Sequence, residues 1–197
     1  MGKIFYICSY GGCGSTVLAN SLSNYGEIRH IHSRNPPDKL QYIGNDNGGK
    51  CYNEWFNGIN IPYHKLENYY VIYIYRKPIK SILSRFTIPQ HLEHIQVDKN
   101  IKIDQVINTG KDLYKIREFY NNYTQTNINR NYKIYSVKYE ELFDNQDKLS
   151  DILGIGPLDM VKRETLRDLD KDKMIKLNII YNDLIKIMDF NDFIKII

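Results

Sequence analysis

Ile4-Phe5-Tyr6-Ile7-Cys8-Ser9-Tyr10-Gly11-Gly12-Cys13-Gly14-Ser15-Thr16-Val17-Leu18 is the stretch whose reading decides the fold. Its apolar first half suits a buried strand, its middle is a glycine-rich turn, and Ser15 opens a helical pattern. Glycines let the backbone turn sharply and aim several N–H groups into one concavity, and the helix N-terminus that follows adds partial positive charge. The succession predicts a phosphate-binding loop over Gly11, Gly12, Cys13, Gly14, Ser15 and Thr16. The plainer alternative is a strand-to-helix turn that happens to hold three glycines. The loop departs from the nucleotide-triphosphatase pattern G-x-x-x-x-G-K-[ST]. With Gly14 as the second glycine, Ser9 stands at the first and Ser15 at the lysine, while Thr16 fits the hydroxyl position. A bound group carrying less charge than a γ-phosphate needs that lysine less.

Outward from this stretch, strands alternate with helices. We expect a strand over Lys3 to Cys8, a helix over Ser15 to Tyr25 stopped by Gly26, and a short strand over Ile28 to His32. The strand places Ile28, His30 and His32 on one side. Ser33-Arg34-Asn35-Pro36-Pro37 breaks it, and Asp38 to Asn60 is expected to be loop with a helical turn around Tyr52 to Phe56. Tyr69-Tyr70-Val71-Ile72-Tyr73-Ile74-Tyr75, continuously aromatic and β-branched, predicts a central parallel strand covered on both faces. Arg76 ends it, and Pro78 opens a helix to Phe86. Beyond irregular Thr87 to Lys99 we expect a long helix over Ile103 to Thr126 and a strand over Tyr132 to Val137. Glu140 to Leu142, a helix to about Leu153 and a helical end over Leu158 to Ile197 complete the chain. The expectation is one α/β domain, P-loop-like, with a mainly parallel central sheet flanked by helices and a helical C-terminus.

A chain of 197 residues suits one such domain, and 42% hydrophobic with 25% charged residues is ordinary for a soluble globular protein. Lys and Arg number 27 against 23 Asp and Glu, and the formal charge of +4 is too mild to argue for nucleic acid, though it favours an anionic ligand. Cys8, Cys13 and Cys51 are an odd number at unrelated spacings, so neither a disulfide framework nor a zinc site is indicated. No apolar run is long enough to span a bilayer and the N-terminus lacks a signal peptide's pattern, so the expected location is cytoplasmic.

Ile74-Tyr75-Arg76-Lys77-Pro78-Ile79-Lys80-Ser81-Ile82-Leu83-Ser84-Arg85-Phe86 is the second informative stretch. An arginine at the carboxyl end of a parallel strand lies where such sheets bind ligands, and its planar fork can hold a phosphate by two N–H bonds. Ser84 offers a hydroxyl to the same group. Equally, Arg76 can be solvated or paired with an acid, and Ser84 can be an ordinary helix-surface residue.

Three stretches together resemble the sulfotransferases that use 3′-phosphoadenosine 5′-phosphosulfate. Gly11-Gly12-Cys13-Gly14-Ser15-Thr16 is similar to that family's 5′-phosphosulfate loop, P-[KR]-S-G-[ST]-T. Arg76, Pro78 and Ser84 match the spacing of its 3′-phosphate site. Ile134-Tyr135-Ser136-Val137-Lys138-Tyr139-Glu140-Glu141-Leu142 looks like its late strand ending in Y-E-[DE]-[LM], whose tyrosine can lie against the adenine, a role that would fall to Tyr139. The likeness spans roughly residues 4 to 154. Gly12 stands where many members carry Lys or Arg, and the family's late basic, glycine-containing segment has only Lys162 and Arg163 as substitutes.

The resemblance implies 3′-phosphoadenosine 5′-phosphosulfate as co-substrate, no metal, and sulfuryl transfer to a hydroxyl or amine on a glycan, a protein tyrosine or a small molecule. Such a transfer needs a base for the acceptor proton and donors for the charge growing on the bridging oxygen. His32, at the end of the strand after the first helix, is the first choice of base, because some members place a catalytic glutamate there. His64 follows, since others carry a histidine upstream of the 3′-phosphate strand. Glu27, Glu54 and His30 remain open, as does a purely structural role for His32. Arg34 is a candidate for holding an anionic part of the acceptor. His91 and His94 are three apart, but no third ligand is evident, and no metal is expected. A small P-loop kinase of nucleosides or metabolites and a non-catalytic nucleotide-binding module are the alternatives.

Overall fold

The apolar run at the start of the chain forms β1 (Lys3–Cys8), with Phe5, Tyr6, Ile7 and Cys8 all fully buried. The structure is a computed structural model describing residues 3–37, 42–45, 48–51, 60–61, 68–85, 95–163 and 169–197. β1 pairs in parallel with β2 (Gly26–Ile31). Next come β3 (Tyr42–Asn45), β4 (Gly48–Cys51) and β5 (Asn60–Ile61), which form a separate three-stranded antiparallel sheet. β6 (Tyr69–Tyr75) returns to the other side of β1, again in parallel, and pairs in parallel with β7 (Ile134–Lys138). β8 (Ile194–Ile196) closes that edge antiparallel to β7, giving a five-stranded sheet in the order β2-β1-β6-β7-β8.

The helices among the described residues are α1 (Ser15–Leu22), α2 (Pro78–Arg85), α3 (Ile103–Thr109), α4 (Ile116–Thr124), α5 (Tyr139–Leu142), α6 (Gln146–Leu153) and α7 (Lys171–Phe190). This is a single α/β domain with a mostly parallel sheet. β6 is apolar throughout because both of its faces are covered: Val71, Ile72 and Ile74 are fully buried, and Tyr73 stacks on Tyr123 of α4 at 4.5 Å. Among the described residues no helix is long and apolar enough to cross a membrane.

From β1 the chain turns to β2 on one side, and it later leaves β6 toward the other, so the connections diverge at the carboxyl ends of β1 and β6. Open parallel sheets bind ligands in the crevice that such a divergence leaves. Residues 9–14 and Arg76 sit at those two ends.

Several boundaries differ from expectation for identifiable reasons. The helix expected over Ile103 to Thr126 is two helices. Gly110 takes a left-handed conformation and its N–H caps α3 on the Val106 carbonyl at 2.9 Å. Asp112 then caps α4, accepting from the Arg117 N–H at 2.8 Å and from the Tyr181 hydroxyl at 2.8 Å. The chain does not end in a helix. α7 stops at Phe190, and Ile194–Ile196 supplies the edge partner that β7 otherwise lacks, flanked by the Lys138 N–H to Phe193 carbonyl bond at 2.9 Å. Residues 158–163 are irregular, not helical. The segment expected as loop from Asp38 to Asn60 contains β3, β4 and part of β5, while the helical turn expected at Tyr52 to Phe56 lies outside the described residues. α1 ends at Leu22 instead of Tyr25, and β2 begins two residues early at Gly26.

Candidate functional site

The turn after β1 is built from backbone that only glycine takes without strain. Gly11, Gly12 and Gly14 have φ of 106°, 67° and 77°. They are also packed too closely for a side chain: Arg85 lies against Gly11, Ser84 against Gly12, and the Tyr139 ring against Gly14. The fold thus packs three side chains directly against the loop backbone. No backbone N–H from Tyr10 through Val17 donates to any described residue, whereas the Ser9 N–H is bonded to the Ile31 carbonyl at 3.1 Å. Buried donors in such a run are normally satisfied, so a run of amides without acceptors among the described residues is suited to an oxyanion.

Arg76 and Ser84 converge on the same loop residue from β6 and α2. The Arg76 Nη1 donates to the Gly12 carbonyl at 3.1 Å, and a Cβ at Gly12 would stand 2.5 Å from Ser84 Cβ. The Arg76 guanidinium lies 4.5 Å from the centre of the Tyr139 ring, a cation–π contact. Tyr139 is 7% exposed, wedged between Gly14 and Arg76, with Phe143 edge-on at 5.5 Å. Its neighbour Glu140 accepts the Lys77 N–H at 2.9 Å, just ahead of α2. The Tyr139-Glu140 pair therefore braces both the glycine turn and the start of α2. Cys13 is buried, near the Gly11 carbonyl at 3.2 Å and the Ser81 hydroxyl at 3.3 Å. Burial pushes its thiol up to about 11, so it stays protonated and is no nucleophile. Thr16 is exposed on the first turn of α1.

On the β2 side, Ser9, Ser15, His30 and His32 form one polar cluster. Ser9 Oγ donates to Ser15 Oγ at 3.0 Å, and His30 Nε2 lies 2.8 Å from Ser15 Oγ. His32 Nδ1 is 2.8 Å from the Ser9 carbonyl, which can only accept, so Nδ1 carries the proton and Nε2 is the basic nitrogen. The two imidazoles stand 4.6 Å apart because alternate residues of a strand share a face. Burial, and then the Arg85 charge, hold the His30 imidazole below its ordinary pKa.

The other expected residues fare differently. Arg34 is ion-paired with Glu118 at 3.3 Å, so its charge is offset within the protein. Glu27 pairs with Arg29 and stands in register with Ile4, at the amino end of the sheet, which removes it as a base for this site. Lys162 and Arg163 are exposed and make no hydrogen bond or ion pair to the loop. His64, Glu54, His91 and His94 lie outside the described residues. Among the described residues no group of three or more His, Cys, Asp or Glu could hold a metal ion.

Sequence reasoning gave no role to Ser9 or Arg85. For Arg85 a signal existed: Ser81, Ile82 and Arg85 share a helix face, and a charge on a buried face calls for a reason. No protein-family model, no curated protein and no solved structure matches this chain.

Proposed function

We propose that the chain is a P-loop-like sulfotransferase, moving the sulfuryl group of 3′-phosphoadenosine 5′-phosphosulfate to a hydroxyl or amine acceptor. The observation that carries this reading is the junction at Gly12. There a turn of amides without acceptors among the described residues meets Arg76 and Ser84, the two residues whose spacing matches a 3′-phosphate site. Two anion-binding elements, tied together at adjacent strand ends, suit a nucleotide with phosphate at both its 5′ and 3′ positions.

In this reading the loop amides and the N-terminus of α1 hold the 5′-phosphosulfate, and Arg76 with Ser84 holds the 3′-phosphate. The acceptor oxygen or nitrogen attacks sulfur, the bond from sulfur to the bridging oxygen breaks, and the 5′-phosphate leaves with the electron pair. The acceptor proton passes to Nε2 of His32, whose tautomer is set by the Ser9 carbonyl. Developing charge on the bridging oxygen is met by loop N–H groups and the Ser15 hydroxyl. A kinase would want a cation where Ser15 stands, but Ser15 is buried and bonded to Ser9 and His30.

Calorimetry decides the matter. Adenosine 3′,5′-bisphosphate should bind without metal and raise the melting temperature by linkage. Binding only by ATP with Mg²⁺ would replace this reading with the kinase.

A further inference from the structure

We propose that Arg85 is the cation of the glycine turn: from the last turn of α2 its guanidinium binds the anion held by the loop amides, in place of a basic side chain at Gly12. The inference rests on the turn being an anion site, and it names the charge that Gly12 does not supply.

Gly12 cannot supply that charge. Its φ is 67°, and a Cβ would stand 2.5 Å from Ser84 Cβ and 3.0 Å from the Ser81 carbonyl oxygen, which is backbone and cannot swing aside. The same helix that closes off Gly12 delivers Arg85 one residue later. The Arg85 Cζ and Nε lie 2.6 Å from where a Gly11 Cβ would be, so the absence of a side chain at Gly11 is what lets the guanidinium reach the turn. Arg85 is 4% exposed, and its Nε and Nη2 are buried without a hydrogen-bond partner among the described residues. That edge of the fork is the one that grips an oxyanion with two parallel bonds.

No carboxylate is paired with Arg85 among the described residues. Its near neighbours in the turn do not neutralise it either: burial keeps the Tyr10 phenol and the Cys13 thiol protonated. A buried, uncompensated cation is costly, and evolution retains one where a ligand supplies the counter-charge. The field of Arg85 is felt across the site, since after burial it is the second cause lowering the His30 pKa. Arg85 thus packs on Gly11 and is electrostatically coupled to His30, which is bonded to Ser15 at the start of α1.

The test compares wild type, Arg85→Met, Arg85→Gln and Arg85→Lys in calorimetry and thermal melts. The probes are inorganic pyrophosphate, adenosine 3′,5′-bisphosphate and adenosine 3′-phosphate, which lacks the 5′ group. Arg85→Met and Arg85→Gln should weaken the first two by about 10–100-fold and leave adenosine 3′-phosphate nearly unchanged. Arg85→Lys should fall between. Without ligand, Arg85→Met should melt no lower than wild type, because it removes an unpaired buried charge. A lower melting temperature with unchanged affinity would overturn the proposal and make Arg85 structural. Equal losses for all three probes would also overturn it. Should Arg85→Met fail to fold, the Arg85→Lys and Arg85→Gln pair decides by the same ligand contrast. Pyrophosphate binding without bisphosphate binding would sink the sulfotransferase reading while still testing Arg85. If wild type bound no anion, both would fall.

Discussion

Gly12 and Gly110 allow the crowding of the glycine turn to be measured against its own control. Both have left-handed backbone, with φ of 67° and 64°, so Gly→Ala at either position forces a side chain into a region that costs an L-residue about 1–2 kcal/mol. The unfolded chain gains the same stiffness in both cases, and that contribution cancels in the comparison. The surroundings do not cancel. At Gly110 an added methyl meets nothing within 4 Å, whereas at Gly12 it collides with Ser84 Cβ at 2.5 Å and the Ser81 carbonyl at 3.0 Å. Overpacking of this kind adds about 1–3 kcal/mol. For a chain of 197 residues that difference corresponds to a melting temperature lower by about 2–12 °C in Gly12→Ala than in Gly110→Ala. Thermal melts and urea titrations of the two variants give the number directly. Gly12→Ala should also lose adenosine 3′,5′-bisphosphate, because the carbonyl that Arg76 holds must move, while Gly110→Ala should bind like wild type. Equal melting temperatures would refute the claim that α2 seals the turn against a side chain, and with it the reason that the charge must come from Arg85.

Arg76→Ala should weaken adenosine 3′,5′-bisphosphate by about 2–4 kcal/mol in calorimetry and leave adenosine 5′-phosphate little changed. Equal losses would mean that Arg76 acts through the Gly12 carbonyl. His32→Ala should keep bisphosphate affinity and lower sulfuryl transfer by about 10²–10⁴-fold in an acceptor screen. Transfer surviving in His32→Ala but lost in His30→Ala would move the base to His30. Because folding lowers the His30 pKa, the unfolded state takes up a proton first as pH falls below about 6.5, and stability declines there. Urea midpoints at pH 7.5 and 5.5 should therefore differ less in His30→Asn than in wild type. Asp112→Ala removes the cap of α4 and the acceptor of the Tyr181 hydroxyl, and should cost about 2–3 kcal/mol by urea titration. Asp112→Asn, which keeps an oxygen, should cost less.

Those residues also mark what the sequence could and could not reveal. β1 and β6 are legible because strands buried on both faces must be apolar along their whole length, and the turn is legible because its φ values demand glycine. The break at Gly110 and Asp112 is written in the chain as a helix stop followed by a cap, but the apolar spacing on either side continues smoothly and hides it. β3 and β4, in register from Tyr42 with Cys51 to Asn45 with Gly48, lie in so polar a segment that it is easily taken for plain loop. β8 has no local signature. Ile194, Ile196 and Ile197 fit a helix as well as a strand, and only the open edge of β7 decides between them. For Arg85 the face shared with Ser81 and Ile82 is a signal that its place in the helix works against. An arginine in the last turn of a helix ordinarily faces solvent and the helix dipole, and its burial depends on how α2 lies against the glycine turn.

The two elements proposed to bind anions are tied together in the fold. The Arg76 Nη1 holds the Gly12 carbonyl, Tyr139 fills the space between Arg76 and Gly14, and Glu140 fixes the backbone at Lys77 that leads into α2. α2 in turn supplies Ser84 and Arg85 to the same turn. In the proposed reading a 3′-phosphate drawn to Arg76 therefore meets a guanidinium already oriented by the loop. Orientation settled in the folded chain is entropy not lost on binding, which is the physical advantage of preorganisation. It also sets the pattern of coupling: removing the Tyr139 ring should loosen both elements at once, so Tyr139 substitutions act on 5′ and 3′ anion contacts together, unlike Arg76 or Arg85, each of which governs one end.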